Sequence, residues 1–169
     1  GNFDRPNLVY RIVPRVDARA QALEILRRHP KQAAIVYCIS RNDTESMARW
    51  LQTNGVRASF YHAGMEPDER RRTQDDFAAE ALDVVAATVA FGMGIDRSDV
   101  RCVVHAAMPK SIEHYQQKTG RAGRDGLEAE CVLLYSAADV LRWESLIEKS
   151  TPDAKESRDV IPASRELLE

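Results

Sequence analysis

Short apolar runs alternate with amphipathic runs along most of this chain, and that alternation limits its fold more than any other feature. Ala33 to Cys38 reads A-A-I-V-Y-C, apolar at every position. A strand with one wet face alternates polar and apolar residues, so an unbroken run marks a strand covered on both faces. Further strands are expected at Leu8–Val13, Val56–Tyr61, Leu82–Ala87, Val100–His105 and Ala129–Tyr135. Helical patterns fall between them. Asp17–His29 places Ala22, Leu23 and Leu26 on one face, and Asn42–Asn54 places Met47, Trp50 and Leu51 in a stripe, with Gly55 as its C-terminal cap. Pro67 opens a charged helix ending near Ala79, Ser111 caps one reaching Thr119, and Ser136 caps one to about Lys149. The order predicts an α/β fold of three layers around a mostly parallel central sheet. The length of 169 residues suits one domain. Residues 1–150 carry the pattern, whereas 151–169 are polar, broken by Pro152 and Pro162, and are expected to be a linker or tail.

In parallel sheets, ligands lie beyond the carboxyl ends of the strands. Four loops are expected there: Ser40-Arg41, His62-Ala63-Gly64, Thr88 to Asp96, and the segment 116–126, Q-Q-K-T-G-R-A-G-R-D-G. In the last of these, Arg121 and Arg124 stand three apart among Gly120, Gly123 and Gly126. Glycine removes bulk and permits tight turns, while each guanidinium offers a permanently charged fork of donors that fits a phosphate. A lone R-x-x-R in a Gly-rich loop is more often solvated surface charge. The loop after Leu82–Ala87 has the same character. Gly92 and Gly94 allow close backbone approach, Thr88 can donate a hydroxyl to a phosphate, and Asp96 can accept from a ribose hydroxyl. The alternative is an ordinary strand-to-helix turn.

Composition narrows the classes. Basic residues number 24 and acidic residues 26, a net charge of −2, so any nucleic-acid contact must come from local patches and the chain alone should bind weakly. No apolar run approaches the roughly 20 residues of a membrane span, and the first residues carry no signal-peptide pattern, which makes a soluble intracellular protein the expectation. Cys38, Cys102 and Cys131 lie far apart inside apolar runs, which predicts buried thiols rather than a zinc site or disulfides. No other metal site is expected. Asp68, Glu69, Asp75 and Asp76, interleaved with Arg70 to Arg72, read as a solvated face laced with ion pairs. Trp50 and Trp143 read as core residues on helix stripes, His105 as a satisfied core histidine, and Tyr115 as packing rather than a base-stacking platform.

Four elements recur in a fixed order: V-Y-C-I-S-R at 36–41, Y-H-A-G-M at 61–65, A-T-V-A-F-G-M-G-I-D at 87–96 and Q-x-x-G-R-A-G-R-D-G at 117–126. With them, residues 3 to about 150 closely resemble the second, RecA-like lobe of RecQ-family superfamily 2 DNA helicases. F-D-R-P-N-L at 3–8 and M-P-K-S-I-E-H-Y at 108–115 fit the same family, and F-G-M-G-I-D sets it apart from DEAD-box RNA helicases. The resemblance implies that Ser40 and Arg41 (motif IV), His62 and Gly64, and Thr88 (motif V) touch the DNA backbone. It implies that Gly94 and Asp96 lie near the nucleotide, that Gln117 (motif VI) couples two lobes, and that Arg121 and Arg124 face the phosphates of ATP, with Arg124 as the arginine finger. Family members commonly carry Tyr-Gln-Glu where this chain has Gln116-Gln117-Lys118, a charge reversal expected at the lobe interface.

The resemblance also implies partners: single-stranded or junction DNA, and an N-terminal RecA-like lobe of the same protein that holds ATP and Mg²⁺. No G-x-x-x-x-G-K-[ST] cradle occurs in this sequence, so the chain alone is expected not to hydrolyse ATP; it is also expected to be a monomer. The expected location is bacterial cytoplasm, with the nucleoid, or a eukaryotic nucleus. The rival expectation is a non-catalytic DNA- or protein-binding module derived from such a lobe.

Overall fold

The computed structural model describes residues 5–88, 97–139 and 141. Its elements follow the expected order: β1 (Leu8–Pro14), α1 (Ala18–Arg27), β2 (Ala33–Tyr37), α2 (Arg41–Thr53), β3 (Ala58–Tyr61), α3 (Pro67–Ala78), β4 (Val84–Ala87), β5 (Val100–His105), α4 (Ile112–Thr119) and β6 (Ala129–Tyr135). The strands form one sheet in the order β1-β6-β5-β2-β4-β3. Every adjacent pair is parallel, a stronger result than a mostly parallel sheet.

Strand order fixes the layers. The crossovers β1 to β2 and β2 to β3 travel one way along the sheet, whereas β3 to β4 and β5 to β6 travel back. Keeping every crossover right-handed puts α1 and α2 on one face and α3 and α4 on the other. The core divides accordingly. Ala34 and Val36 of β2 pack with Leu23, Leu26, Met47 and Leu51, whereas Ile35 and Tyr37 pack with Phe77. Tyr115 of α4 covers Met108 and Leu133. This explains the unbroken apolar run in β2, since every side chain in it meets one helix layer or the other.

Local signals behave as their chemistry demands. Asp17 accepts from the Ala20 N–H at 3.2 Å and Ser111 from the His114 N–H at 3.2 Å, each satisfying a donor at a helix start. Gly55 ends α2 at φ +83°. The main boundary differences are at β3 and β4, which begin two residues later than Val56 and Leu82. The Val56 N–H instead closes the end of α2 on the Leu51 carbonyl, and the Leu82 N–H bonds the Asp76 carbonyl.

Three side-chain expectations need correction. His105 is buried, but neither ring nitrogen has a hydrogen-bond partner; the ring lies between Tyr37 and Tyr115 at centroid distances of 5.2 and 4.7 Å. The α3 face is solvated, yet among the described residues it carries one internal ion pair, Arg71 to Asp68 at 3.8 Å, with both partners exposed. Lys118 is no exposed interface charge: it is 9% exposed, beneath α4. Trp50 is half-buried against the α1–α2 core, with its Nε1 donating to the Arg19 carbonyl, and Tyr115 is fully buried. Trp143 and residues 151–169 lie outside the described residues.

Candidate functional site

The carboxyl ends of β2, β4 and β3 bring five expected site residues together. Ser40 caps α2, its hydroxyl accepting from the Asp43 N–H at 3.1 Å. Arg41 opens that helix, and its guanidinium crosses to the loop after β3. A Cβ on Gly64 would stand 2.8 Å from Arg41 Nη1, so glycine there clears the path of the arginine. His62 is buried, and both ring nitrogens are engaged. The Gly64 N–H donates to Nδ1 at 3.0 Å, which leaves the proton on Nε2, and Nε2 donates to Glu45 Oε2 at 2.8 Å. Phe60 stacks on the ring at 5.6 Å. The histidine therefore has no nitrogen left for a ligand; it braces the Gly64 turn against α2. Thr88 closes the row, half-buried, its N–H on the Tyr61 carbonyl at 3.3 Å.

The arginine loop lies elsewhere, contrary to the expectation that it joins the carboxyl-end loops. The helix α4 runs antiparallel to the strands and returns the chain to their amino ends. The Gly123 N–H bonds the carbonyl of Val100, the first residue of β5, and the Asp125 N–H bonds Ser98. Arg5 Nη2 donates to the Ala122 and Gly123 carbonyls at 2.7 and 3.0 Å. Asn7 Nδ2 donates to the Gly123 and Leu127 carbonyls at 2.8 and 3.0 Å. Arg101 holds the far end through Asp125 and the Glu128 carbonyl. Gly123 sits at φ +55°, and a Cβ there would lie 2.6 Å from Asn7 Nδ2 and 2.9 Å from the Leu127 carbonyl oxygen. No other residue fits that position without displacing the clasp.

Within this loop the two arginines differ. Arg124 is exposed and donates from Nε to the Gly120 carbonyl at 3.3 Å. Arg121 is half-buried, without a hydrogen bond or ion pair among the described residues. Burial pushes the Tyr37 hydroxyl well above the usual tyrosine range, and the Arg121 charge opposes part of that rise. A loop whose backbone is clasped, and whose guanidinium groups have no carboxylate partner among the described residues, suits a phosphate. Gln117 is exposed on α4. Gly94 and Asp96 lie outside the described residues.

Sequence reasoning missed the clasp made by Arg5 and Asn7, which it met only within F-D-R-P-N-L, and the part played by Glu45. Glu45 left a local trace as the i,i+4 partner of Arg49, which it meets at 3.2 Å. A third cluster, His29, Cys102 and Glu130, brings potential ligand atoms within 4.8 Å of one another. Its chemistry does not fit a cation. Arg11 and Arg28 already bond the Glu130 carboxylate at 2.7 and 2.6 Å, and His29 bonds it at 2.8 Å. Burial works against ionising Glu130, but these three donors outweigh it and hold the carboxyl below its usual range. The group is an ion-pair hub that locks β6 to β1 and the end of α1. Among the described residues, no helix is long and apolar enough to cross a membrane.

Comparison with known proteins agrees with this architecture. The profile of the helicase conserved C-terminal domain matches residues 17–126. A putative ATP-dependent DNA helicase Q1 from Caenorhabditis briggsae is 44% identical over 152 residues, covering 87% of this chain and 25% of the relative. The ATP-dependent DNA helicase RecQ of Haemophilus influenzae is 44% identical over 171 residues, covering 100% of this chain and 28% of the relative. This chain thus spans about a quarter of those relatives. The Escherichia coli DEAD-box protein SrmB, in a crystal structure with the regulator RraA, superposes with a TM-score of 0.67 at 23% identity, covering 86% of this chain and 85% of that one; at that identity the likeness is one of fold.

The class defined by fold and profile is the C-terminal lobe of a superfamily 2 helicase. Within that class, the chain belongs to the RecQ family.

Proposed function

We propose that this chain is the C-terminal motor lobe of an ATP-dependent DNA helicase that moves 3′ to 5′, with an arginine finger on one side and a DNA-backbone grip on the other. The observation that carries the reading is the placement of the two residue sets at opposite edges of one six-stranded sheet. Ser40, Arg41, Gly64 and Thr88 line the carboxyl edge, with His62 as their brace, while Arg121 and Arg124 are clasped at the amino edge. A sheet packed on both faces transmits displacement with little internal give. When the arginines engage a nucleotide on an N-terminal lobe, the grip on the strand moves with them.

In this reading Arg124 neutralises charge on the terminal phosphate, and Arg121 supports it from its half-buried position. Bound ATP supplies the phosphoryl group, and Mg²⁺ is held by the N-terminal lobe. Gln117 belongs to the same nucleotide-facing side. The carboxyl edge holds phosphates rather than base edges, so it carries no sequence preference on single-stranded or junction DNA. Action on DNA places the protein at the nucleoid or in a nucleus.

The test is Arg124→Ala in the full-length protein. An arginine finger contributes a factor of roughly 10³–10⁵ to phosphoryl transfer in GTPases, so DNA-stimulated ATPase activity should fall by at least about a hundredfold. Activity within about threefold of the parent excludes the finger. The chain on its own should turn over no ATP.

A further inference from the structure

Lys118 has no part in the helicase reading. Its ammonium lies 5.1 Å from the centre of the Tyr37 ring. The residue is 9% exposed and has no hydrogen bond or ion pair among the described residues. It borders a cavity of about 240 Å³ lined by Tyr37, Cys38, Thr88, Ala107 and Met108, together with Ile39. One water needs only roughly 10–15 Å³, so the space accepts a much larger group.

The place matters as much as the residue. The adjacent strands β2 and β5 send their connections to opposite faces, through α2 and α4 respectively. Their carboxyl ends therefore flank the topological switch point of the sheet, where open α/β folds receive ligands. The cavity lies at that point, between Cys38 after β2 and Ala107 after β5, with Thr88 from β4 beside it.

Among the described residues, the groups around Lys118 supply no anion. Tyr37 and Cys38 face it from β2 and the residue after it, and His105 from β5. His114, on the same helix, also feels the Lys118 charge. Burial, aided by the Lys118 charge, keeps His105 neutral by holding it well below the usual histidine range. Burial also lowers Lys118 to about 8, slightly opposed by Cys38, and raises Tyr37. A buried cation without a counter-ion is costly, and a bound anion relieves that cost.

We propose that Lys118 and Thr88 form a binding subsite for a phosphate-class oxyanion at the β2–β5 switch point, Lys118 giving the charge and Thr88 the hydroxyl. The subsite rests on the helicase-lobe reading for its source: that reading puts the strand on this edge, so the phosphate is one of the bound strand, and a nucleotide phosphate is the alternative that the test separates. It is particular to this chain, because the family resemblance expects glutamate at position 118.

The experiment compares the full-length protein with Lys118→Met and Lys118→Arg. Binding to a 20-nucleotide oligo(dT) is measured from 50 to 200 mM salt, alongside the KM for ATP. A strand phosphate at Lys118 makes the slope of log K against log salt shallower by about 0.7 in Lys118→Met, with KM unchanged. A nucleotide phosphate raises KM about tenfold in Lys118→Met and leaves the slope alone. In either case Lys118→Arg retains the parent value, and the contact weakens above about pH 8 in the parent only. If neither slope nor KM changes in Lys118→Met, the subsite does not exist. A parent with neither ATPase activity nor DNA binding fails the helicase reading instead. The subsite is then decided by whether inorganic phosphate slows reductive methylation of Lys118.

Discussion

The two candidate edges of this lobe are held in different ways. On the carboxyl edge, most restraints are near in sequence: Ser40 caps Asp43, His62 accepts from Gly64, and Glu45 reaches His62 across 17 positions. On the amino edge, the arginine loop depends on Arg5 and Asn7, which bond it across 115 to 120 positions. The first edge is assembled by its own helix caps and turns. The second exists only once β1 has docked beside β6. DNA grip and nucleotide response should therefore fail separately when each set of restraints is cut.

The strongest way to break that separation is Gly123→Val. A branched side chain at φ +55° collides with Asn7 and the Leu127 carbonyl, at a cost of more than about 3 kcal/mol in an equilibrium denaturation curve. Gly126→Ala, at φ +84° with open space around it, should cost only about 1 kcal/mol. Equal losses would mean that conformation rather than the clasp demands glycine.

A pH test comes next. Lys118 holds its proton less tightly when folded, near 8, than at its ordinary value of 10.5. The folded state therefore bears the full penalty below about pH 8 and none once both states are neutral, above about 10.5. Removing the charge with Lys118→Met should stabilise the protein by about 3 kcal/mol at pH 7, with the gain shrinking above about pH 8 and gone above about 10.5. A pH-independent gain would trace to packing instead.

The smallest effect is the most selective. Arg5→Ala removes two close hydrogen bonds to the arginine loop and should cost about 1–2 kcal/mol of stability. In the full-length protein kcat should fall while DNA affinity without nucleotide stays within about twofold. Equal loss of both would show that the two edges are not independent.

Much of this molecule was readable from residue order. The apolar run in β2, the cap at Ser111, Pro67 and Gly55 are local signals, so the elements and the three-layer fold followed from them. The carboxyl-edge residues were legible because a parallel sheet gathers the loops after its strands on one side. The arginine loop was recognised in sequence but expected at the wrong edge, because its position depends on α4 carrying the chain back past the sheet. His105 and Lys118 were misjudged for the same reason. Whether a polar side chain finds a partner depends on which strands become neighbours, and β5 meets β2 across more than 60 residues of chain. Spacing and patterning decided which elements form and in what order. Burial of Lys118, isolation of His105 and the Arg5–Asn7 clasp came only with the strand order, since each depends on groups far apart in sequence that meet through packing.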